Sequence, residues 1–141
     1  MDLDSIYTDV IMEHSTATYN KHKLQDATNS EHGHNPSCGD DITLEIKKDG
    51  DTITDLAFTG HGCAISQAST SIMIDLLKGK TVEQATKLIS IFIRMIKREN
   101  VSEEELNELE EAQALKNISN MPARVKCAEL AWYTMQKLLE K

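Results

Sequence analysis

Cys38-Gly39-Asp40-Asp41-Ile42-Thr43-Leu44-Glu45-Ile46-Lys47-Lys48-Asp49-Gly50 is the stretch that decides the fold. Ile42, Leu44 and Ile46 alternate with Thr43, Glu45 and Lys47, the period of a strand with one buried face. Asp49-Gly50 is a hairpin turn signal, and a second strand follows, starting at Ile53 and running through Leu56 and Phe58. Antiparallel pairing returns the chain to its starting edge, so Cys38 and Gly60 are expected at the same end of the hairpin. Cys63 can therefore meet Cys38 although 25 positions separate them.

Helical periods lie on both sides of this hairpin. Leu3, Ile6, Tyr7, Val10, Ile11 and His14 predict an amphipathic helix over 3–20, capped by Asp2 or Asp4. His14, on its apolar side, reads as a satisfied boundary residue. The segment from Asn20 to Pro36 is polar and aperiodic, and reads as a long loop. Past Cys63, the residues Ile65, Ser69, Ile72, Met73 and Leu76 predict a helix ending near Lys78-Gly79. Thr81-Val82-Glu83-Gln84 is a capping-box pattern opening a helix whose apolar face is Leu88, Ile91, Phe92, Met95 and Ile96. Ser102-Glu103-Glu104-Glu105 is a second such pattern, starting an acidic helix to about Leu115. Pro122 suits the first position of a final helix. There Arg124, Cys127, Leu130 and Ala131 share a face, with Arg124 one turn before Cys127. The reading is an α+β fold: a single domain over 1–141, with a small antiparallel β-sheet packed with several α-helices.

Bulk composition narrows the function. The chain has 141 residues, 40% of them apolar, enough for one core. A formal charge of −8 argues against a nucleic-acid partner, which needs a basic surface. No apolar run approaches the roughly 20 residues of a membrane span, and no basic-then-apolar leader opens the chain. The reading is cytoplasmic. Three cysteines, an odd number, favour reduced thiols over a disulfide framework.

Each cysteine sits in a marked context. Cys38 and Asp40 flank Gly39, which permits a sharp, left-handed turn that aims both side chains at one point. Cys63 follows Gly60-His61-Gly62 and opens a helix, where the dipole favours negative charge. Cys127 lies on the final helix. Three thiols and a carboxylate supply four ligands, enough for a closed tetrahedral zinc site. The paired spacing usual in structural zinc sites is absent, so spacing alone leaves three independent cysteines equally open. The carboxylate oxygen is harder than thiolate, making Asp40 the weak member of such a set. His32 and His34 are weighed as further ligands against solvated loop histidines, and His61 as a residue lining the site. Arg124 is read either as a site residue or as an anchor for a surface carboxylate.

Asn35–Asp40, Gly60–Ser69 and Pro122–Trp132 together resemble, in order and over nearly the whole chain, the three signatures of the SufU branch of the IscU-like iron–sulfur assembly proteins. IscU proper has a histidine immediately before the third cysteine, where this chain has Lys126. It also lacks the longer gap that holds residues 102–115 here. The Leu-Pro-Pro-Val-Lys chaperone-docking motif of IscU is not intact in Met121–Lys126. The resemblance implies zinc on Cys38, Asp40, Cys63 and Cys127. It implies a zinc-dependent sulfurtransferase that takes persulfide sulfur from a SufS-type cysteine desulfurase, as an accessory to that enzyme. Cys38, on a glycine-containing loop, is the candidate sulfur acceptor, and downstream SUF scaffold proteins are candidate recipients. The alternative implied by the same family is a scaffold that assembles a [2Fe–2S] cluster on the same residues.

Overall fold

The alternating stretch at 42–46 forms the centre of a three-stranded antiparallel sheet in a computed structural model that describes residues 3–141. The elements run α1 (Leu3–Thr16), β1 (Asn29–Asn35), β2 (Asp40–Asp49), β3 (Thr52–His61), α2 (Ala64–Leu77), α3 (Val82–Ile96) and α4 (Glu103–Glu108). A 3₁₀ segment (Glu110–Asn120) and α5 (Pro122–Leu139) complete the chain. The architecture is α+β, as expected. The sheet order is β1-β2-β3, so β2 is central. Ile42, Leu44 and Ile46 are fully buried on its inner face, each contributing about 1.5–3 kcal/mol by leaving water. The β2–β3 register pairs Asp41 with His61 and Ile42 with Gly60, which brings the two ends of the hairpin together beside Cys38 and Cys63.

Three boundaries differ from expectation, each for a physical reason. The polar stretch expected as loop contains β1, whose buried positions are Gly33 and Asn35 rather than apolar residues. Hydropathy alternation therefore does not mark it. The first helix ends at Thr16, not near 20, and Asn20 instead accepts the Phe58 N–H at the free edge of β3. The expected acidic helix breaks after Glu108: Glu110 takes φ +50°, and the chain continues as a 3₁₀ segment. Capping by Asp2 or Asp4, and the apolar positions Leu3, Ile6 and Tyr7, fall outside the residues whose side chains are described.

Both capping boxes form, with Thr81 and Gln84 at α3 and with Ser102 and Glu105 at α4. Helix α1 is pinned to α2 and the 3₁₀ segment by polar contacts. His14, 5% exposed, bonds Ser71 Oγ through Nδ1 (2.9 Å) and Glu111 through Nε2 (3.0 Å). Tyr19 donates to Asp75 (2.6 Å), and burial followed by this carboxylate pushes its phenol up to about 12. Asn20 donates to the same carboxylate (2.9 Å). Deeper in, the Trp132 ring stacks on Phe92 with centroids 3.8 Å apart, and its indole N–H donates to Ser69 Oγ (2.8 Å). Ser69 in turn donates to the Ala128 carbonyl (2.6 Å), tying α2 to α5. Among the described residues, no helix is long and apolar enough to cross a membrane.

Glu105 does two jobs at α4: it closes the capping box and pairs with Arg94 of α3. The Arg94 guanidinium foremost, then the Ser102 N–H, hold its carboxyl down from the usual 4.5 to about 2. A depressed carboxylate stabilises the fold above its unfolded-state value, and that contribution is lost as pH falls from about 4.5 to about 2. Glu105→Gln is therefore expected to flatten the pH dependence of stability in that window. Urea unfolding of both proteins at pH 7, 4 and 3 checks this, and parallel pH curves would show that Glu105 contributes nothing there.

Candidate metal centre

Three separate elements deliver the cysteines to one end of the sheet. The turn Pro36–Gly39 carries Cys38 between β1 and β2, and Gly39 takes the expected left-handed conformation at φ +69°. Asp40 is the first residue of β2 and is completely buried. Cys63 is the N-cap of α2, its sulfur accepting the Ser66 N–H at 3.5 Å. Cys127, 1% exposed, enters from the second turn of α5.

Ligand atoms of Cys38, Asp40 and Cys127 all lie within 4.8 Å of one another. The Cys63 sulfur, expected as a fourth ligand, is not within this group; Cys63 touches it through its backbone N–H, which donates to Asp40 Oδ1 at 2.9 Å. The other carboxylate oxygen, Oδ2, is buried without a hydrogen-bond partner among the described residues. A buried carboxylate with an unmatched oxygen costs several kcal/mol unless a cation or a proton meets it. Two sulfurs beside the Asp40 carboxylate form a donor set suited to a thiophilic, borderline metal such as zinc. The residues fit the group.

Cys38 and Cys127 are joined as a disulfide, with Cα atoms 6.7 Å apart across 89 positions, while Cys63 is free. This corrects the expectation of three reduced thiols. The odd count leaves one cysteine over, as it must, but the turn after β1 and the start of α5 face each other closely enough for their sulfurs to bond. Both sulfurs become metal ligands only in the reduced form.

Close packing around Asp40 gives Gly62 a structural role. A Cβ placed on Gly62 would lie 2.5 Å from Asp40 Oδ1 and 3.2 Å from Ser66 Oγ. Gly62 is therefore needed for the carboxylate to approach the start of α2, and Ser66, also buried, shares that contact. The glycine next to Cys63 is the available signal in the sequence. Arg124 stands exposed on the first turn of α5, outside the buried convergence. His32, His34 and His61 are exposed on the sheet, and none joins the thiol group. His32 Nε2 instead donates to Asp41 at 2.7 Å, and that bond leads in holding the Asp41 carboxyl below its usual range.

Comparison with known proteins gives one family. The sequence profile of the NifU-like N terminal domain matches residues 6–141. The zinc-dependent sulfurtransferase SufU of Bacillus subtilis is 39% identical over 140 residues, covering 99% of this chain and 93% of that protein. An iron–sulfur cluster assembly scaffold protein, IscU of Thermotoga maritima, is 40% identical over 136 residues, 96% of this chain and 94% of the relative. Among solved structures, one from Fervidobacterium islandicum AW-1 has a TM-score of 0.89 at 38% identity, covering 96% of this chain and 97% of its own. That protein is described as a proposed iron–sulfur cluster assembly scaffold for the SUF system.

Gly62→Ala tests the geometry directly. Its new methyl group is expected to displace Asp40 and open the Cys63 N–H bond, at a cost of about 1–3 kcal/mol. Faster exchange of the Cys63 amide, with a matching drop in the urea midpoint, is the expected result. Unchanged exchange would mean that the carboxylate does not depend on the glycine.

Proposed function

Because the chain belongs to the NifU-like N-terminal domain family, we propose that it is a cytoplasmic sulfur acceptor of iron–sulfur cluster assembly. In this reading it holds zinc on Cys38, Asp40, Cys63 and Cys127 and accepts persulfide sulfur from a SufS-type cysteine desulfurase. The observation that carries it is the convergence of the fully buried Asp40 carboxylate, one oxygen of which is unpartnered, with the Cys38 and Cys127 sulfurs. The 39% identical relative, named a zinc-dependent sulfurtransferase, supports the zinc and the sulfur chemistry together.

Bound zinc supplies a positive charge that keeps cysteine sulfurs deprotonated while muting their attack. The residues around it divide the remaining work. A thiol reductant first opens the Cys38–Cys127 bond, adding two electrons and two protons to give two thiols. Cys38 then acts as the acceptor, because it lies half-buried on a turn while Cys127 is sealed into α5. Its thiolate attacks the outer sulfur of the desulfurase persulfide. The new S–S bond on Cys38 forms as the donor bond breaks, and the desulfurase cysteine leaves as thiolate, with no net oxidation. Asp40 keeps the start of α2 fixed through the Cys63 N–H while the turn moves. Passage of the sulfur to a SUF scaffold protein completes the role.

The second reading is a scaffold for a [2Fe–2S] cluster on the same four residues. It is favoured by the 40% identical relative of that name, and thiolate-rich sites serve both metals.

Metal analysis of the reduced, purified protein with its visible spectrum separates the two. About one zinc per chain, no visible bands, and strong stimulation of a SufS-type desulfurase that Cys38→Ala abolishes are the expected results. Iron with visible absorption would favour the scaffold. Neither metal in folded protein, or full stimulation by Cys38→Ala, would overturn the proposal. Structural zinc can contribute on the order of 10 kcal/mol to folding, so far-ultraviolet circular dichroism of each variant accompanies the assay.

A further inference from the structure

The outer face of the sheet carries a second group of metal-ligating side chains, distinct from the thiol group. The register places His34 of β1 opposite Asp41 of β2, and Asp41 opposite His61 of β3. A histidine, an aspartate and a histidine thus lie in one straight row across all three strands. Residues two apart on a strand share a face, so His32 joins this side from the neighbouring row, His32–Thr43–Thr59. Neither row contains a lysine or arginine to compete with a bound cation. Three of them are already in contact, His32 bonding Asp41 at 2.7 Å and the His32 and His34 rings stacking at 6.4 Å, inclined by 19°, while the register sets His61 on the other side of Asp41 and the four ligand atoms do not yet converge. The face is open, with the His32 side chain 55% and the Asp41 side chain 41% exposed.

We propose that His32, His34, Asp41 and His61 form a second site, for a divalent cation of borderline softness such as zinc, cobalt, nickel or ferrous iron. Directly opposed residues have Cβ atoms about 4.5–5.5 Å apart, within the span of imidazoles turned toward a common ion. Exposed side chains change rotamer freely on short timescales, so the convergence the site needs is sought in rotation about χ1 and χ2. Imidazole nitrogens select these metals over magnesium and calcium, and Asp41 adds the charge that neutral imidazoles lack. The site is also adjacent to the thiol group in the chain: Asp41 follows Asp40, and His61 lies two residues before Cys63. Consecutive strand residues face opposite sides, so a cation held there lies across the sheet from the buried Asp40 carboxylate. The proposal does not depend on which metal the thiol group takes.

Titration of the reduced, full-length protein with Co²⁺ tests it, because thiolate ligation gives sulfur-to-cobalt charge-transfer bands and imidazole or carboxylate ligation does not. The expected result is two classes of binding, the second adding no charge-transfer intensity. A parallel Zn²⁺ titration followed by imidazole NMR should move the His32, His34 and His61 rings together, leaving buried His14 unchanged. Replacing His34 or His61 by Ala should weaken the second class by about tenfold or more, at least the effect of losing an outer-shell partner. The charge-transfer class should stay intact. Absence of a second class, or its persistence at the same affinity in the H32A/H34A/H61A protein, would overturn the proposal. Loss of the charge-transfer class alone would count against the thiol centre and leave this site standing.

Discussion

Everything near the functional end of the molecule depends on one buried carboxylate. Asp40 is fully enclosed, yet one of its oxygens accepts the Cys63 N–H and the other meets no donor. In an apolar surround that arrangement is costly unless positive charge or a proton arrives. The first oxygen fixes the start of α2 against the start of β2, and the second is left without a hydrogen-bond partner, the feature on which the proposed metal site rests. A single side chain thus couples the hairpin register to the ligand set. Gly62 exists in that contact because any side chain there would collide with the carboxylate.

The rest of the fold holds the other two elements at the right distance from Asp40. Ser69, on α2 beyond Cys63, accepts the Trp132 indole N–H and donates to the Ala128 carbonyl of α5. Ala128 is the residue after Cys127, so this bond sets the spacing between the helices that carry Cys63 and Cys127. Stacking of Trp132 on Phe92 extends the constraint to α3. Truncating such an aromatic costs about 3–5 kcal/mol, and here the loss would also free α5 to shift. Core packing and site geometry are therefore the same problem in this chain.

The sequence is read most reliably where a local rule acts alone. Both capping boxes and the alternation at 42–46 appear where their residues place them, and the hairpin turns one residue later than Asp49-Gly50, at Gly50-Asp51. The site convergence follows from hairpin geometry, since Asp41 pairs with His61 as antiparallel return requires. What was not legible depends on contacts distant in the chain. Strand β1 turns Gly33 and Asn35 inward, so no apolar alternation announces it. The break after Glu108 depends on a left-handed Glu110, which no propensity favours. The Cys38–Cys127 bond joins residues 89 apart, beyond any counting rule for an odd number of cysteines.

Unequal mounting of the two bonded cysteines has a consequence for chemistry. Cys127 stands on a helix whose backbone bonds and buried neighbours fix its sulfur, and it is closed to solvent. Cys38 stands on a four-residue turn between two strands, next to a glycine in the left-handed region. Once the bond between them is reduced, moving Cys127 would disturb α5 and the core, whereas moving Cys38 disturbs a turn. In the proposed role, the thiol that leaves a shared site to meet a partner's sulfur, and then returns, would be the one whose displacement costs least. The fold offers that freedom at Cys38 and withholds it at Cys127, while Asp40 beside them stays locked to the start of α2.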